Sequence, residues 1–442
     1  MQFLLDIWNV IFSQVITKPQ LLLAIIVMLG YALLKRPFTN ILAGGIKTAV
    51  GIMILQLGAG QLVGNFRPIL LALSDRFGVS GTILDPYAGF PAANASLEAM
   101  NASAWVGYTI LIALGINILL VALTKMKGLF LTGHIMFIQS ALVTAVVAYN
   151  LGLPLLPTVL ISGVLVGLYW AIGSHLLIKP TDTVTNGAGF TIGHQQMFMD
   201  WAASKWGGKF GDPKENDAEN LELPGWLSIL QDNIVAMAII MFFFVLIIML
   251  ALGLPTVKEM AGADNWFVYT MLTGFSFAVY VTVILTGVRL FVAELANSFK
   301  GISDKLLKDA VVAVDCPAIM GYSPNAWMLG FIFTTIGHLV AIGILIALRS
   351  PVVVLAGFVP LFFDGGPIGV YANKHGGTKA VAFFCTLAGL IQVFGSALVV
   401  PITGMAGGWM GNFDWATFWP AVFYLLRLVG SALGLPVPPP TV

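Results

Sequence analysis

The sequence predicts an all-α polytopic membrane protein, and three observations carry that expectation. Hydrophobic residues make up 58% of the 442 residues and charged ones only 9%, about a third of the share found in soluble domains. The mean hydropathy is +0.94. Apolar runs near the ~20 residues that cross a bilayer recur at 21–34, 43–63, 104–123, 151–171, 234–254, 267–285, 327–348 and 380–400. Shorter or Gly- and Pro-broken stretches lie between them, and the same yardstick gives about eleven crossings in all.

Composition also excludes whole classes. A net charge of +1 leaves no concentrated basic face for a nucleic acid. Cys316 and Cys385 have neither metal-ligand nor CxxC spacing and read as small buried packing residues. No GxxxxGK[ST] loop is present, so the chain is not an ATP-driven pump by itself. No metal or cofactor is expected. Asp6 interrupts the first apolar run and no basic leader precedes it, so the first twenty residues read as a short interfacial helix rather than a signal peptide.

An internal repeat organises the rest. Asn101-Ala-Ser-Ala-Trp105 returns as Ser323-Pro-Asn-Ala-Trp327, and Leu131-Thr-Gly133-His134 as Leu355-Ala-Gly357-Phe358, at offsets of 222 and 224 residues. Upstream, Gly45-Ile-Lys47 is echoed by Gly287-Val-Arg289, and Asp85-Pro-Tyr87-Ala by Asp315-Cys-Pro-Ala. Each echo is weak alone, but four in one order define a duplication. Lys35-Arg36, Lys125 and Lys127, and the group Lys300, Lys305 and Lys308 mark cytoplasmic ends. They make equivalent elements cross in opposite directions, with Arg67 and Arg349 on the other side. That is an inverted-topology repeat, whose substrate site belongs at the interface between halves. The expected division is 1–203 and 225–442 for the halves, with core and scaffold domains each drawn from both. Between them the charged stretch 204–224 reads as a solvated cytoplasmic linker or, more sharply, as a docking surface for a soluble partner.

Four segments carry polar groups that a bilayer penalises. They are Asp85 to Pro91, where two prolines and a glycine rule out a continuous helix; Gly133 to Gln139; Thr183 to Gln196; and Asp315 to Asn325. Non-helical backbone at membrane depth must be shielded by protein or line a water-filled cavity. His and Gln both donate and accept, and an ionised Asp accepts, which suits a polyhydroxylated solute. Asp315 at mid-span would cost about 2.5–3.5 kcal/mol on insertion scales. It reads as functional, or as a structural partner of Arg289. His134 and His194 are ligand candidates or interhelical hydrogen-bonders. His338 reads as packing without polar companions, and His375 as a loop residue.

The blocks LTGHIMF (131–137), GFTIGHQQ (189–196), LPGWLSILQDNIV (223–235), GVRLFVAEL (287–295) and AVDCPAI (313–319) resemble the ascorbate-specific enzyme IIC of the bacterial phosphotransferase system, over about residues 1–415. The resemblance departs at the end, where Arg427 interrupts the last apolar run and a Pro-rich 436–442 follows. It implies a multi-pass homodimer among the lipids of the bacterial inner membrane, with an elevator-like core moving against a scaffold. Such a protein takes up L-ascorbate and delivers it phosphorylated, the phosphoryl group coming from a cysteine on a separate enzyme IIB charged by enzyme IIA. By matching motif it implies substrate contacts at Pro86, Tyr87, His134, Ile135, Met136, Phe137, Ile138, His194, Gln195 and Asp315. Members can carry Gln at the position of Ile138, which makes Gln139 the alternative. Asp315 is expected to accept from substrate hydroxyls and could take a proton from one. The competing class is an ion-coupled secondary transporter of a small polyhydroxylated or anionic solute, with Asp315 as its ion site.

Overall fold

The computed structural model describes residues 15, 18–76, 82–220, 233–352 and 354–441. Most of the interfacial helix expected at the N-terminus and most of the 223–235 block lie outside the described residues. The first half runs α1 (Pro19–Leu33), α2 (Phe38–Arg76), β1 (Thr82–Leu84), α3 (Pro86–Ala99), α4 (Trp105–Leu123), β2 (Gly128–Phe130), α5 (Gly133–Leu151), α6 (Leu155–Thr185), β3 (Phe190–Ile192), α7 (Met197–Trp206) and α8 (Pro213–Asn216). The second runs α9 (Asn233–Leu252), α10 (Leu254–Ala261), α11 (Trp266–Lys305), β4 (Val311–Val314), a 3₁₀ segment (Cys316–Tyr322), α12 (Pro324–Ala347), β5 (Val354–Ala356), α13 (Phe358–Phe363), α14 (Gly365–Val399), β6 (Gly408–Trp409), α15 (Phe413–Ala416) and α16 (Phe418–Ala432).

Among the described residues seven helices are long and apolar enough to cross a membrane, or eight with the α9–α10 pair, bent by 117°. Several remaining stretches, such as the 14-residue α3 and the six-residue α13, are too short to span. The protein is mostly helical but not purely so. Among the described residues six strands form two parallel sheets, ordered β5-β1-β6 and β2-β4-β3. Strands of two to four residues are too short to show an alternating pattern in the sequence.

From α2 to α8 and from α11 to α16 the order of elements is nearly the same, a long helix, a strand, a short helical piece, then two more strand-ended helices. Each sheet has a central strand from one half flanked by two from the other. The long helices α2 and α11 run antiparallel. Gly44 lies against Glu294, Gly51 against Gly287, and Gly58 against Tyr280. At the crossing a Cβ on Gly287 would stand 2.4 Å from the Gly51 carbonyl oxygen. Small residues that let backbones approach are how helices pack where lipid removes the hydrophobic drive. Helices α1, α2, α9 and α11 pack as one group; α4, α5 and α6 pack as another, and α12 with α14.

Several local expectations are corrected. The Asp85–Pro91 segment is helical from Pro86 onward: Pro86 occupies the first position, where no donor is needed, and Pro91 removes a single intrahelical bond. Tyr87 is in that helix, but its side chain lies outside the described residues. His375 is not in a loop but half-buried in α14, its Nδ1 2.9 Å from the Tyr371 carbonyl. His338 does have a polar companion, because its Nε2 lies 2.9 Å from Gln392 Oε1.

The described part of the linker, 204–220, exposes Lys205, Lys209, Asp212, Lys214 and Glu215 to solvent but is anchored at its C-terminal end. Glu219 Oε1 accepts from Ser323 Oγ (2.8 Å) and from the Ala326 N–H (2.9 Å), capping the free N–H groups of α12. Asn373 accepts from the Ala218 N–H (2.9 Å) and donates to Asp217 (2.6 Å), tying the same segment to α14. There Gly377 breaks the helix at φ 67°, with the Asn216 backbone so close that a Cβ would stand 2.6 Å from its carbonyl oxygen. At the C-terminal end Arg427 is stabilised within α16 by donating to Asn150 (2.5 Å) and to the Pro438 carbonyl (2.6 Å).

Candidate functional site

The sheet β2-β4-β3 assembles the site. Its strands are parallel, so all three end on the same side and the residues that follow them meet. The ladder runs on past the strands, with Leu131 N–H donating to the Ala313 carbonyl (3.1 Å) and Gly193 N–H to that of Val314 (2.8 Å). Gly193 is required there, because a Cβ would meet the Phe130 ring at 2.9 Å. His134 then opens α5, His194 and Gln195 precede α7, and Asp315 follows β4.

These side chains converge. His134 Nε2 lies 3.4 Å from Asp315 Oδ2, and His194 Nε2 lies 3.7 Å from Asp315 Oδ1. Asp315 Oδ1 also accepts from the Cys316 N–H at 2.8 Å. Arg289 is exposed, so the carboxylate's partners are imidazoles rather than that guanidinium. The side chains of His134, Asp315 and His194 are 38%, 14% and 5% exposed, grading from open to closed.

They border a cavity of about 370 Å³, within the size range of small-molecule sites. Among the expected residues Pro86, His134, Ile135, Phe137, Ile138, His194, Gln195 and Asp315 line it. Met136 is 2% exposed and turned into the core. Gln139 stands one layer back, accepting from Trp170 Nε1 (2.6 Å) and donating to the His194 carbonyl (3.3 Å). Sequence reasoning missed Leu55, Gln56, Phe90, Pro91, Pro317, Val359 and Phe363, which complete the lining. Gln56 carried a usable signal, as one of two amides, with Gln61, within the apolar run 43–63. Val359 and Phe363 were reachable through the repeat, since the offset of 224 residues pairs them with Ile135 and Gln139.

Buried polar groups behind the lining hold the wall. Gln195 Oε1 accepts from Trp415 Nε1 (2.5 Å), and its carbonyl accepts from the Asp414 N–H (3.0 Å). Tyr169 donates to Asp414 (2.7 Å) and lies 3.3 Å from the His194 carbonyl oxygen. Asp364, also fully buried, accepts from Asn412 (2.6 Å), from the Phe413 N–H (2.7 Å) and from Gln392 (2.7 Å). The sequence reading passed over these acids, although each lies in an apolar context where a carboxylate demands a partner. His194, Asp315 and the buried Cys316 bring one ligating atom each within 4.8 Å of one another, wider than the roughly 3.3–3.8 Å edges of a tetrahedral zinc site.

The arrangement offers acceptors and imidazoles at the floor and apolar walls at Phe90, Phe137, Ile138, Val359 and Phe363, a fit for a small hydroxylated solute. A second cavity of similar volume, between α2, α9, α12 and α13, is apolar apart from Thr335 and His338.

A family model described as the PTS system sugar-specific permease component matches residues 14–421. The chain belongs to that family. It is therefore a membrane subunit of a transporter, multi-pass in the bacterial inner membrane. It is 32% identical over 437 residues to the "Ascorbate-specific PTS system EIIC component" of Mycoplasma pneumoniae (strain ATCC 29342 / M129 / Subtype 1), a match covering 88% of this chain. The chain spans 66%, just under two thirds, of that relative's length.

Proposed function

We propose that this permease binds L-ascorbate in the cavity around Asp315 and releases it phosphorylated into the cytoplasm, the phosphoryl group coming from enzyme IIB, charged in turn by enzyme IIA. The observation that carries the reading is the convergence of His134, His194, Gln195 and Asp315 on one cavity, in a chain whose relative is described as ascorbate-specific. The substrate is a lactone anion with several hydroxyls. Those hydroxyls find an acceptor in Asp315, while His134 and the Gln195 amide supply donors for the anionic ring. The apolar walls cover its faces.

In this reading the halves are inverted repeats. The antiparallel course of α2 and α11 and the exchange of strands between the sheets support that geometry. The group α1, α2, α9 and α11 serves as scaffold and dimer contact, and the helices bearing the site move against it as an elevator. Leu55 and Gln56 of α2 line the cavity, so the site opens at the seam where such a motion would act.

The test is uptake by membrane vesicles. Accumulation of phosphorylated ascorbate that requires phosphoenolpyruvate and the soluble partners is expected. Delivery of unmodified solute driven by an ion gradient alone would point instead to the secondary-transporter class, which family membership disfavours. Asp315→Asn is expected to impair phosphorylation more than binding, and wild-type levels of both would remove Asp315 from the site.

A further inference from the structure

Gln196 does not line the cavity, yet its amide decides which nitrogen of His194 carries the proton. Its Oε1 lies 3.0 Å from the backbone nitrogen of Gln195 and 2.5 Å from His194 Nδ1. A backbone N–H only donates, so the amide atom facing it is the oxygen, and the usual freedom to flip the amide is absent. An amide oxygen only accepts. His194 Nδ1 is therefore the donor, and a neutral His194 holds its proton there.

The consequence falls on the opposite nitrogen. His194 Nε2 is a bare lone pair, and it faces Asp315 Oδ1 at 3.7 Å. Two acceptors stand across a gap that only a donor can bridge, and a substrate hydroxyl is such a donor. Asp315 Oδ1 is already engaged with the Cys316 N–H, and imidazole is by nature the stronger base of the two side-chain types.

We propose that His194 Nε2 takes the substrate hydroxyl's proton during phosphoryl transfer, with Gln196 as the positioning residue that holds the Nδ1–H tautomer and Asp315 as the charge that stabilises the imidazolium. The proposal rests on the phosphotransfer reading of the site. In the step, the hydroxyl oxygen forms a bond to phosphorus, the phosphorus–sulfur bond to the partner's cysteine breaks, and the sulfur leaves as thiolate with the electron pair. The proton ends on His194. Titratable groups face this imidazole from several elements. Asp315 and Cys316 come from the end of β4, His134 from α5, and Tyr169 from α6, its hydroxyl engaged with Asp414 of α15.

Two measurements test it. Solid-state NMR of the ¹⁵N-histidine protein in liposomes reads the tautomer directly; with five histidines, the His194 signals are found by their loss in His194→Gln. The Nδ1–H form is expected, and the Nε2–H form overturns the assignment whatever the protein transports. In proteoliposomes with phosphoenolpyruvate and the soluble partners, Gln196→Met is expected to slow phosphorylation roughly 100-fold or more, with ascorbate affinity within about threefold. Gln196→Glu keeps an acceptor at Nδ1 and is expected to lose less than tenfold. Its carboxylate favours the imidazolium, so the acid limb of its pH–rate profile moves to higher pH. A Gln196→Met protein with wild-type rate and pH profile overturns the proposal, as does a Gln196→Glu protein as slow as Gln196→Met. Delivery of unphosphorylated solute by the wild type overturns the base role together with the reading beneath it, while leaving the tautomer measurement standing.

Discussion

Gln139 was a candidate substrate contact, and the structure gives it a different task that one double-mutant cycle can test. Its side chain is fully buried, joined to Trp170 Nε1 at 2.6 Å and to the His194 carbonyl at 3.3 Å. Gln139→Leu removes both bonds. The bond to the His194 carbonyl is long at 3.3 Å, so that loss is modest, about 0.5–1.5 kcal/mol. The indole N–H of Trp170 has no such reserve, since the ring is fully buried and stacked on Phe130 at 5.2 Å. Leaving it unsatisfied costs about 1–3 kcal/mol. Trp170→Phe deletes that donor, and with it the penalty. Gln139→Leu is thus expected to cost about 1.5–4.5 kcal/mol alone and markedly less in the Trp170→Phe background, a coupling of about 1–3 kcal/mol. Thermal or denaturant unfolding of the four purified proteins, alongside ascorbate binding, supplies the numbers. Additive effects, or a loss of binding with unchanged stability, would refute the supporting role and return Gln139 to the substrate.

Other outcomes follow from features remote from the cavity. Gly287→Val should destabilise by about 1–3 kcal/mol or more, because its side chain meets the Gly51 and Leu55 backbone; Gly60→Ala, inside the same α2 helix with nothing within 4 Å, should be neutral or stabilise by up to about 1 kcal/mol. Matched unfolding midpoints would contradict the crossing geometry. Burial raises Glu219 above its usual 4.5, despite the backbone and hydroxyl donors that favour its charge. A carboxyl raised in the folded state contributes stability that is complete below the unfolded value and is lost as pH rises through the folded one. Stability should therefore decline from about pH 4.5 upward, and Glu219→Gln should flatten that decline; an identical slope in both proteins would exclude Glu219 as its source. Arg427→Ala should lower the unfolding midpoint by freeing the Pro438 carbonyl and Asn150, and an unchanged midpoint would show the C-terminal contact to be inconsequential.

Much of the architecture was legible because a bilayer imposes a coarse grammar of long apolar runs and costly polar interruptions. Asp315, His134 and His194 stood out for that reason, and the echo of Asp85 by Asp315 located the ends of two central strands without revealing the strands. What stayed hidden was fine-grained. Three residues of strand leave no period to detect. Pro91 looks like a helix breaker until its position near the start of α3 shows how little it removes. His338 seemed to lack polar company because Gln392 is 54 residues away in the chain. The carboxylates of Asp364 and Asp414 receive their donors across such distances too. Gln139 and Met136 follow two cavity-facing positions on α5, yet the helix turns them inward, which no motif match encodes.

The exchange of strands between sheets has a consequence for biosynthesis. Among the described residues β1 pairs with β5 and β6, so the first half leaves the ribosome with a strand whose partners are synthesised some 270 and 325 residues later. In the same way β2 and β3 have no edge to join until β4 emerges. Neither half can close its own sheet, and the cavity exists only after the second half has threaded into the first. A gene split at the linker should therefore yield function only when both pieces are made in one cell.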